Sequence, residues 1–225
     1  MTPRYLIPTP LDVAHSLFDI ASSLPLDILV TFVETSVGLL LAALVGFILA
    51  LSFYFFDAVE RALMPYAVAL KSVPIVAISP LLVVWTGNGL PGKVILAAIV
   101  SFFPLLIGFR DGLRSKPTEL HQVAQVWSTA KFRTLLHIDL PLCLPYALSA
   151  FKVAAPLSLV GAIVAEFSGA NLGLGHLVIV AAYRADIALL FGAILIVSFL
   201  GILLFKFSLL VEATALASMR MSRVN

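Results

Sequence analysis

Crossing the hydrocarbon core of a bilayer takes about 20 consecutive apolar residues in a helix. Five segments of this chain meet or nearly meet that length: 28–56, 63–85, 94–109, 142–165 and 187–211. In lipid every backbone polar group must find its partner within the protein, so runs of this kind become spanning helices. Composition agrees, with 61% hydrophobic and 12% charged residues, against about 25% charged in soluble domains. The expected fold is all-α, a polytopic integral membrane bundle of about five transmembrane helices surrounded by membrane lipids. The third segment is short, and Pro104 makes its end uncertain.

The basic residues orient the bundle through the Lys/Arg bias of its short loops. With 110–139 on the cytoplasmic side, that side collects Arg61, Arg110, Arg114, Lys116, Lys131, Arg133, Arg220 and Arg223. The opposite side receives only Arg4, Lys93 and Arg184, which puts the N-terminus outside and the C-terminus inside. No secretory signal is apparent in "MTPRYLIPTP". The net charge of +2 and the scattered aromatics exclude a nucleic-acid surface, and the single cysteine, Cys143, leaves no intrachain disulfide. No Cys/His cluster has metal-ligand spacing, and no carboxylate pair or Ser/His/Asp set is arranged for catalysis. Neither chemistry on a substrate nor a metal site is expected, so the chain is not read as an enzyme.

Three features within the segments carry structural expectations. Leu11, Ala14, Leu17, Phe18, Ala21 and Leu24 recur at helical spacing, with Thr9 placed to cap and Pro10 to open the helix, so residues 1–25 form an exterior amphipathic segment. Gly38, Ala42, Gly46 and Ala50 recur every four residues, a small-residue face suited to close helix packing. Pro74, Pro80 and Pro104 point to bent or broken helices, tolerated in a membrane where protein or a water-filled cavity covers the irregular backbone. Pro74 and Pro80 are therefore pathway candidates, a purely structural kink being the competing reading.

A charge at the bilayer centre costs about 2.5 to 3.5 kcal/mol on insertion scales. Lys71 and Lys206 lie within a few residues of expected cytoplasmic ends and can snorkel. Lys152 is about ten residues into its segment, roughly 15 Å by helical rise, and is expected to face the interior or a partner, either as a structural counter-charge or in the pathway. Glu166, at the exterior end of its segment, is expected to gate the pathway, to meet an external partner or to pair with Arg184.

Between the third and fourth segments lies a stretch too polar to span and too patterned for a slack loop. After Pro117 and Thr118, Leu120, Val123, Ala124 and Trp127 form an apolar stripe. Ser128 and Thr129 then interrupt it, and Phe132, Leu135 and Leu136 make a second face with Lys131 and Arg133 beside it. Two short amphipathic helices result, joined to the next span through Pro141 and Pro145. Such a pair either fits a partner's groove, or lies on the membrane surface or packs against the protein's own helix ends.

"HQVAQVWSTAKFRTLLHIDLPLCLP" at 121–145 resembles the signature cytoplasmic loop of the permease subunits of binding-protein-dependent ABC importers. "LPLCLP" fits the L-P-x-x-L-P ending, which places Gln122, Val123 and Ala124 on the family's E-A-A positions and Ser128 on its glycine. The acid and the glycine are both replaced. "SVPIVAISPLLVVWTGNGLPGK" at 72–93 and "AEFSGANLGLG" at 165–175 are similar to two further family stretches, and Lys152 stands where relatives often carry a cation. The look is of the branch importing nitrate, sulfonates, taurine and some vitamin precursors. Members of it commonly begin with one more span, so either this protein has five or the given start is internal to a longer frame.

The resemblance implies a type-1 transmembrane domain over 26–215, with a coupling loop at 117–141 and a cytoplasmic tail at 216–225. It implies an ATPase-coupling site made of Leu120, Gln122, Val123, Ala124, Trp127, Ser128, Thr129, Ala130, Lys131, Pro141 and Pro145, beside which Pro74, Pro80, Lys152 and Glu166 stay the pathway candidates. The implied partners are two ATP-binding subunits, a second copy of the permease, and a periplasmic or lipid-anchored substrate-binding protein, all at the bacterial cytoplasmic (inner) membrane. This chain would bind no cofactor, and ATP and Mg would be used by the ATPase. "GANLGLG" has neither a preceding strand nor a following Gly-Lys-Ser/Thr, so it is not a phosphate loop. The competing readings are a self-sufficient secondary transporter or channel, which would be expected to show internal repeats or several ionisable residues at mid-membrane, and a membrane scaffold without transport.

Overall fold

The computed structural model describes residues 7–115 and 131–222, with side chains described to residue 217. The order is α1 (Pro10–Asp19), α2 (Leu24–Phe55), α3 (Asp57–Ser72), α4 (Ile75–Thr86), α5 (Leu90–Arg114), α6 (Lys131–Phe167), α7 (Leu174–Tyr183) and α8 (Ile187–Ser222). Of these, α2, α5, α6 and α8 are each long and apolar enough to cross a membrane, and the pair α3–α4 makes a fifth crossing if its two halves count as one span.

The second expected span, 63–85, is not one straight helix. It breaks at Val73 and Pro74, and the two halves meet at 99°. Pro74 has no N–H to give and disfavours a helical conformation at Val73 before it. Val73 is extended accordingly, with ψ 131°. Pro104, by contrast, leaves α5 unbroken over 25 residues, so the third span is longer than its apolar run. Pro141 and Pro145 also lie inside a continuous helix. Just ahead of them, 135–139 form a π-turn in which the Leu140 N–H donates to the Leu135 carbonyl. That wider turn accommodates the proline ring and the donor it lacks.

At the centre stands α5, held between α2 and α6. The small-residue face of α2 makes the first contact: Gly38, Ala42, Gly46 and Ala50 are all buried, and a Cβ on Gly46 would lie 3.3 Å from the Leu106 backbone of α5. Gly161 does the same for α6, where an added Cβ would fall 2.7 Å from Ala97 Cα. Small residues bring the helix axes close, so dispersion contacts replace the solvent-driven term that lipid cannot supply. Around this slab, α8 covers α6 and presents Phe199, Ile202, Phe207 and Leu210 outward as an exposed apolar surface. Thr9 caps α1 and Pro10 opens it, and Leu17 of α1 packs over Gly192 of α8.

Candidate functional site: a rod between two membrane faces

At the end of the bundle expected to be cytoplasmic, acids in the first turn of α3 meet bases in the last turns of α5, an arrangement that also suits both helix dipoles. Arg110 Nε donates to Glu60 Oε1 at 2.5 Å, and Arg114 pairs with Asp57 at 2.9 Å and with Glu60. Next to this, the Tyr54 hydroxyl of α2 donates to the buried Asp139 of α6 at 2.5 Å. Lys131, at the head of α6, lies over the rings of Tyr54 and Phe55 and donates to the Phe55 carbonyl at 3.3 Å. The start of α6 is thereby fastened to the end of α2.

The expected coupling residues Leu120, Gln122, Val123, Ala124, Trp127, Ser128, Thr129 and Ala130 lie outside the described residues. From Lys131 onward the second amphipathic stretch is not a separate helix but the first turns of α6. Its expected apolar face divides, with Leu135 buried in the core and Phe132 and Leu136 61% and 46% exposed. The rod continues 37 residues from Lys131 to Phe167, about 55 Å at 1.5 Å per residue.

At its far end the rod enters a buried polar cluster. Asp27, Thr31 and Glu34 sit on one face of α2, at i, i+4 and i+7, and all three are buried. Thr31 Oγ1 donates to Glu166 Oε1 of α6 at 2.6 Å. The first N–H groups around the start of α7 then turn toward these side chains: Gly173 N donates to Asp27 Oδ1 at 2.8 Å, Leu174 N to Thr31 Oγ1 at 2.8 Å, and Gly175 N to the Glu166 carboxylate. A helix start carries unpaired donors and partial positive charge, and carboxylates satisfy both. Gly173, at φ 118°, takes a backbone conformation open to glycine and aims these donors inward. Lys93 of α5 completes the cluster with an ion pair to Glu34 at 2.8 Å. Glu166 is therefore not an interfacial carboxylate, and among the described residues no ion pair joins it to Arg184.

The two remaining stretches that carried the resemblance meet here. Ser79 of α4 donates to the Val164 carbonyl at 3.1 Å and accepts from Ser168 at 2.7 Å, so 72–93 and 165–175 form one corner, at the end expected to be exterior. Pro80 lies within α4 and Pro74 at its start, at the break. Lys152 is remote from this corner. It forms an ion pair with Glu212 of α8 at 2.7 Å, just past the expected end of the fifth span. Lys71 is not at the cytoplasmic surface as expected: its ammonium lies 4.9 Å from the centre of the Phe103 ring, midway along α5.

Residues 38–215 match the family described as the binding-protein-dependent transport system inner membrane component. The chain belongs to that family. It is 35% identical over 90% of its length to a probable ABC transporter permease protein of Haemophilus influenzae, covering 83% of that protein. It is 33% identical to the formylaminopyrimidine transport permease protein ThiX of Halalkalibacterium halodurans, over 88% of this chain and 80% of that one. The putative aliphatic sulfonates transport permease protein SsuC of Bacillus subtilis is 27% identical over 92% and 76% of the two chains. The fold is shared with a chain of the MetNI methionine ABC transporter in an inward-facing crystal form, with TM-score 0.67 at 15% identity, over 95% of this chain and 99% of that one. This protein is thus the permease component of an ATP-driven ABC importer in the inner membrane, a transport subunit that works with an ATPase and a substrate-binding protein. Family membership sets aside the self-sufficient carrier or channel.

Proposed function

We propose that two copies of this permease, related by a two-fold axis, form the translocation pathway for a small solute, with two ATPase subunits below and one binding protein above. ATP and Mg belong to the ATPase, and substrate choice lies mainly with the binding protein. The nitrate, sulfonate, pyrimidine and riboflavin permeases among the relatives mark the range of solutes.

One observation carries the mechanism. A single helix runs from Lys131, next to the expected coupling segment, to Glu166, inside the exterior cluster. Packed interiors transmit displacement, so rocking the cytoplasmic end of this rod moves the corner made by α2, α4 and α7. ATP-driven closure would act on the stripe of Leu120, Gln122, Val123, Ala124 and Trp127, with Ser128, Thr129 and Ala130 as the bend before Lys131. Pro141 and Pro145 lie within the rod, where the π-turn gives it local compliance. The broken pair α3–α4, with Pro74 and Pro80, would line the pathway wall.

Ala124→Asp tests the coupling assignment, because it sets a charge in the stripe expected to dock. The expected result is loss of ATPase co-purification together with loss of uptake. Undiminished uptake with the ATPase still bound would remove the assignment.

A further inference from the structure

Lys71 differs from the ion-paired cations of the bundle. Lys93 faces Glu34, Arg110 and Arg114 face Glu60, and Lys152 faces Glu212. No carboxylate among the described residues pairs with Lys71, whose side chain is exposed. Its depth follows from α5: Phe103, under the ammonium, is seven residues above Arg110, about 10 Å, and ten below Lys93, about 15 Å. The cation is therefore at mid-membrane, too deep to reach either surface ion-pair layer.

Two residues later the chain breaks, and α4 turns away by 99°. Beside Lys71 the facing sides of α5 and α6 border an open cavity of about 660 Å³. Its wall is apolar apart from Lys71, Tyr146 and Ser149, with Phe103, Ile107 and Val153 among the apolar members. A positive charge at this depth is tolerated where it faces water or a counter-charge, not hydrocarbon. An apolar wall around a single cation lowers the local dielectric and strengthens its field on whatever enters.

We propose that Lys71 forms a transient anion-binding position in the translocation pathway, so that the solute this permease carries bears a negative charge. This rests on the importer reading and narrows its substrate. The ammonium supplies the charge, the Phe103 ring holds it toward the cavity, and the Tyr146 and Ser149 hydroxyls offer neutral donors. With no carboxylate opposing it the site attracts anions, and with one cation only it holds them weakly enough to release.

The test reads the charge felt in the cavity within the assembled complex of permease, ATPase and binding protein. Cys143, the one native cysteine, is replaced by Ala and Ser149 by Cys. The labelling rates of a sulfonate-bearing and a quaternary-ammonium-bearing methanethiosulfonate are then compared. The expected result is a roughly tenfold preference for the anionic reagent, the lower end of what a charge-lined cleft achieves. Lys71→Gln should abolish that preference, Lys71→Arg should keep it, and millimolar nitrate should slow labelling where glycerol does not. A preference unchanged by Lys71→Gln, or a thiol at 149 that neither reagent reaches, overturns the site. The two readings separate cleanly. The expected pattern in a complex without ATP-driven uptake supports the site and counts against the importer mechanism, whereas a charge-blind cavity in a complex that imports does the reverse.

Discussion

Thr31 and Glu166, 135 residues apart in sequence, are joined by a 2.6 Å hydrogen bond in which the threonine hydroxyl donates to the carboxylate while accepting from the Leu174 backbone N–H. One hydroxyl thus ties α2, α6 and α7 together in a fully buried position. Thr31→Val keeps the shape and removes both bonds, leaving a buried carboxylate oxygen and a buried N–H each short of a partner. Such orphans cost about 1 to 3 kcal/mol apiece. A fall in the thermal midpoint of several degrees is expected in detergent, with Thr31→Ser close to the parent. Equal midpoints for Thr31→Val and Thr31→Ser would show that the hydroxyl ties nothing.

The Lys93–Glu34 pair, with side chains 11% and 1% exposed, allows a sharper measurement. Lys93→Met strands the Glu34 charge in the interior, and breaking a buried pair from one side costs about 3 to 5 kcal/mol. Lys93→Met combined with Glu34→Leu removes both charges and should recover most of that loss. The check is a double-mutant cycle on unfolding midpoints. Additive losses from the two substitutions would mean that the pair contributes no coupling.

Much of this architecture is legible in the sequence, and the reason is physical. Runs near 20 apolar residues have few fates in a membrane protein, and the four-residue recurrence from Gly38 to Ala50 marks the face that meets α5. A break is expected from the prolines, but which of them makes it is not legible, because Pro104 is flanked by equally apolar sequence and bends nothing apart. What differs is the packing each proline meets: α5 is gripped by helices on two sides, whereas α3 touches its neighbours sparsely. The exterior cluster left a trace that the apolar pattern hides, since Asp27, Thr31 and Glu34 form a polar stripe at helical spacing inside a segment read for hydropathy alone. Their partners, Lys93, Glu166 and the N–H groups of α7, come from distant parts of the chain, and periodicity carries no such information.

Lys152 and Glu212 offer a test that separates structure from transport. Both side chains are about one-fifth exposed and belong to α6 and α8. If the pair serves as a counter-charge between these helices, exchanging it, Lys152→Glu with Glu212→Lys, should restore the folded yield and uptake that either single change lowers. Restored yield with uptake still absent would place Lys152 on the solute's route. The measurements are the monodisperse fraction after solubilisation and ATP-driven uptake in proteoliposomes.

The glycines supply the last comparison, and they make a paired prediction. At Gly161 a methyl group would fall 2.7 Å from Ala97 Cα and 2.9 Å from the Leu96 carbonyl oxygen, both backbone atoms of α5 that cannot swing aside. Gly161→Ala must therefore push α6 sideways off α5. Overpacking of this kind typically costs 1 to 3 kcal/mol. At Gly201 in α8 the same methyl would meet Leu159 at 3.5 Å, an ordinary contact with the tip of a side chain. Replacing a helical glycine by alanine there gains up to about 1 kcal/mol of helix propensity with no strain. Gly161→Ala should lower the unfolding midpoint and uptake, while Gly201→Ala should leave uptake intact and hold or raise the midpoint. Uptake unaffected by Gly161→Ala would mean that the close seating of α6 on α5 is dispensable for passing motion along the rod.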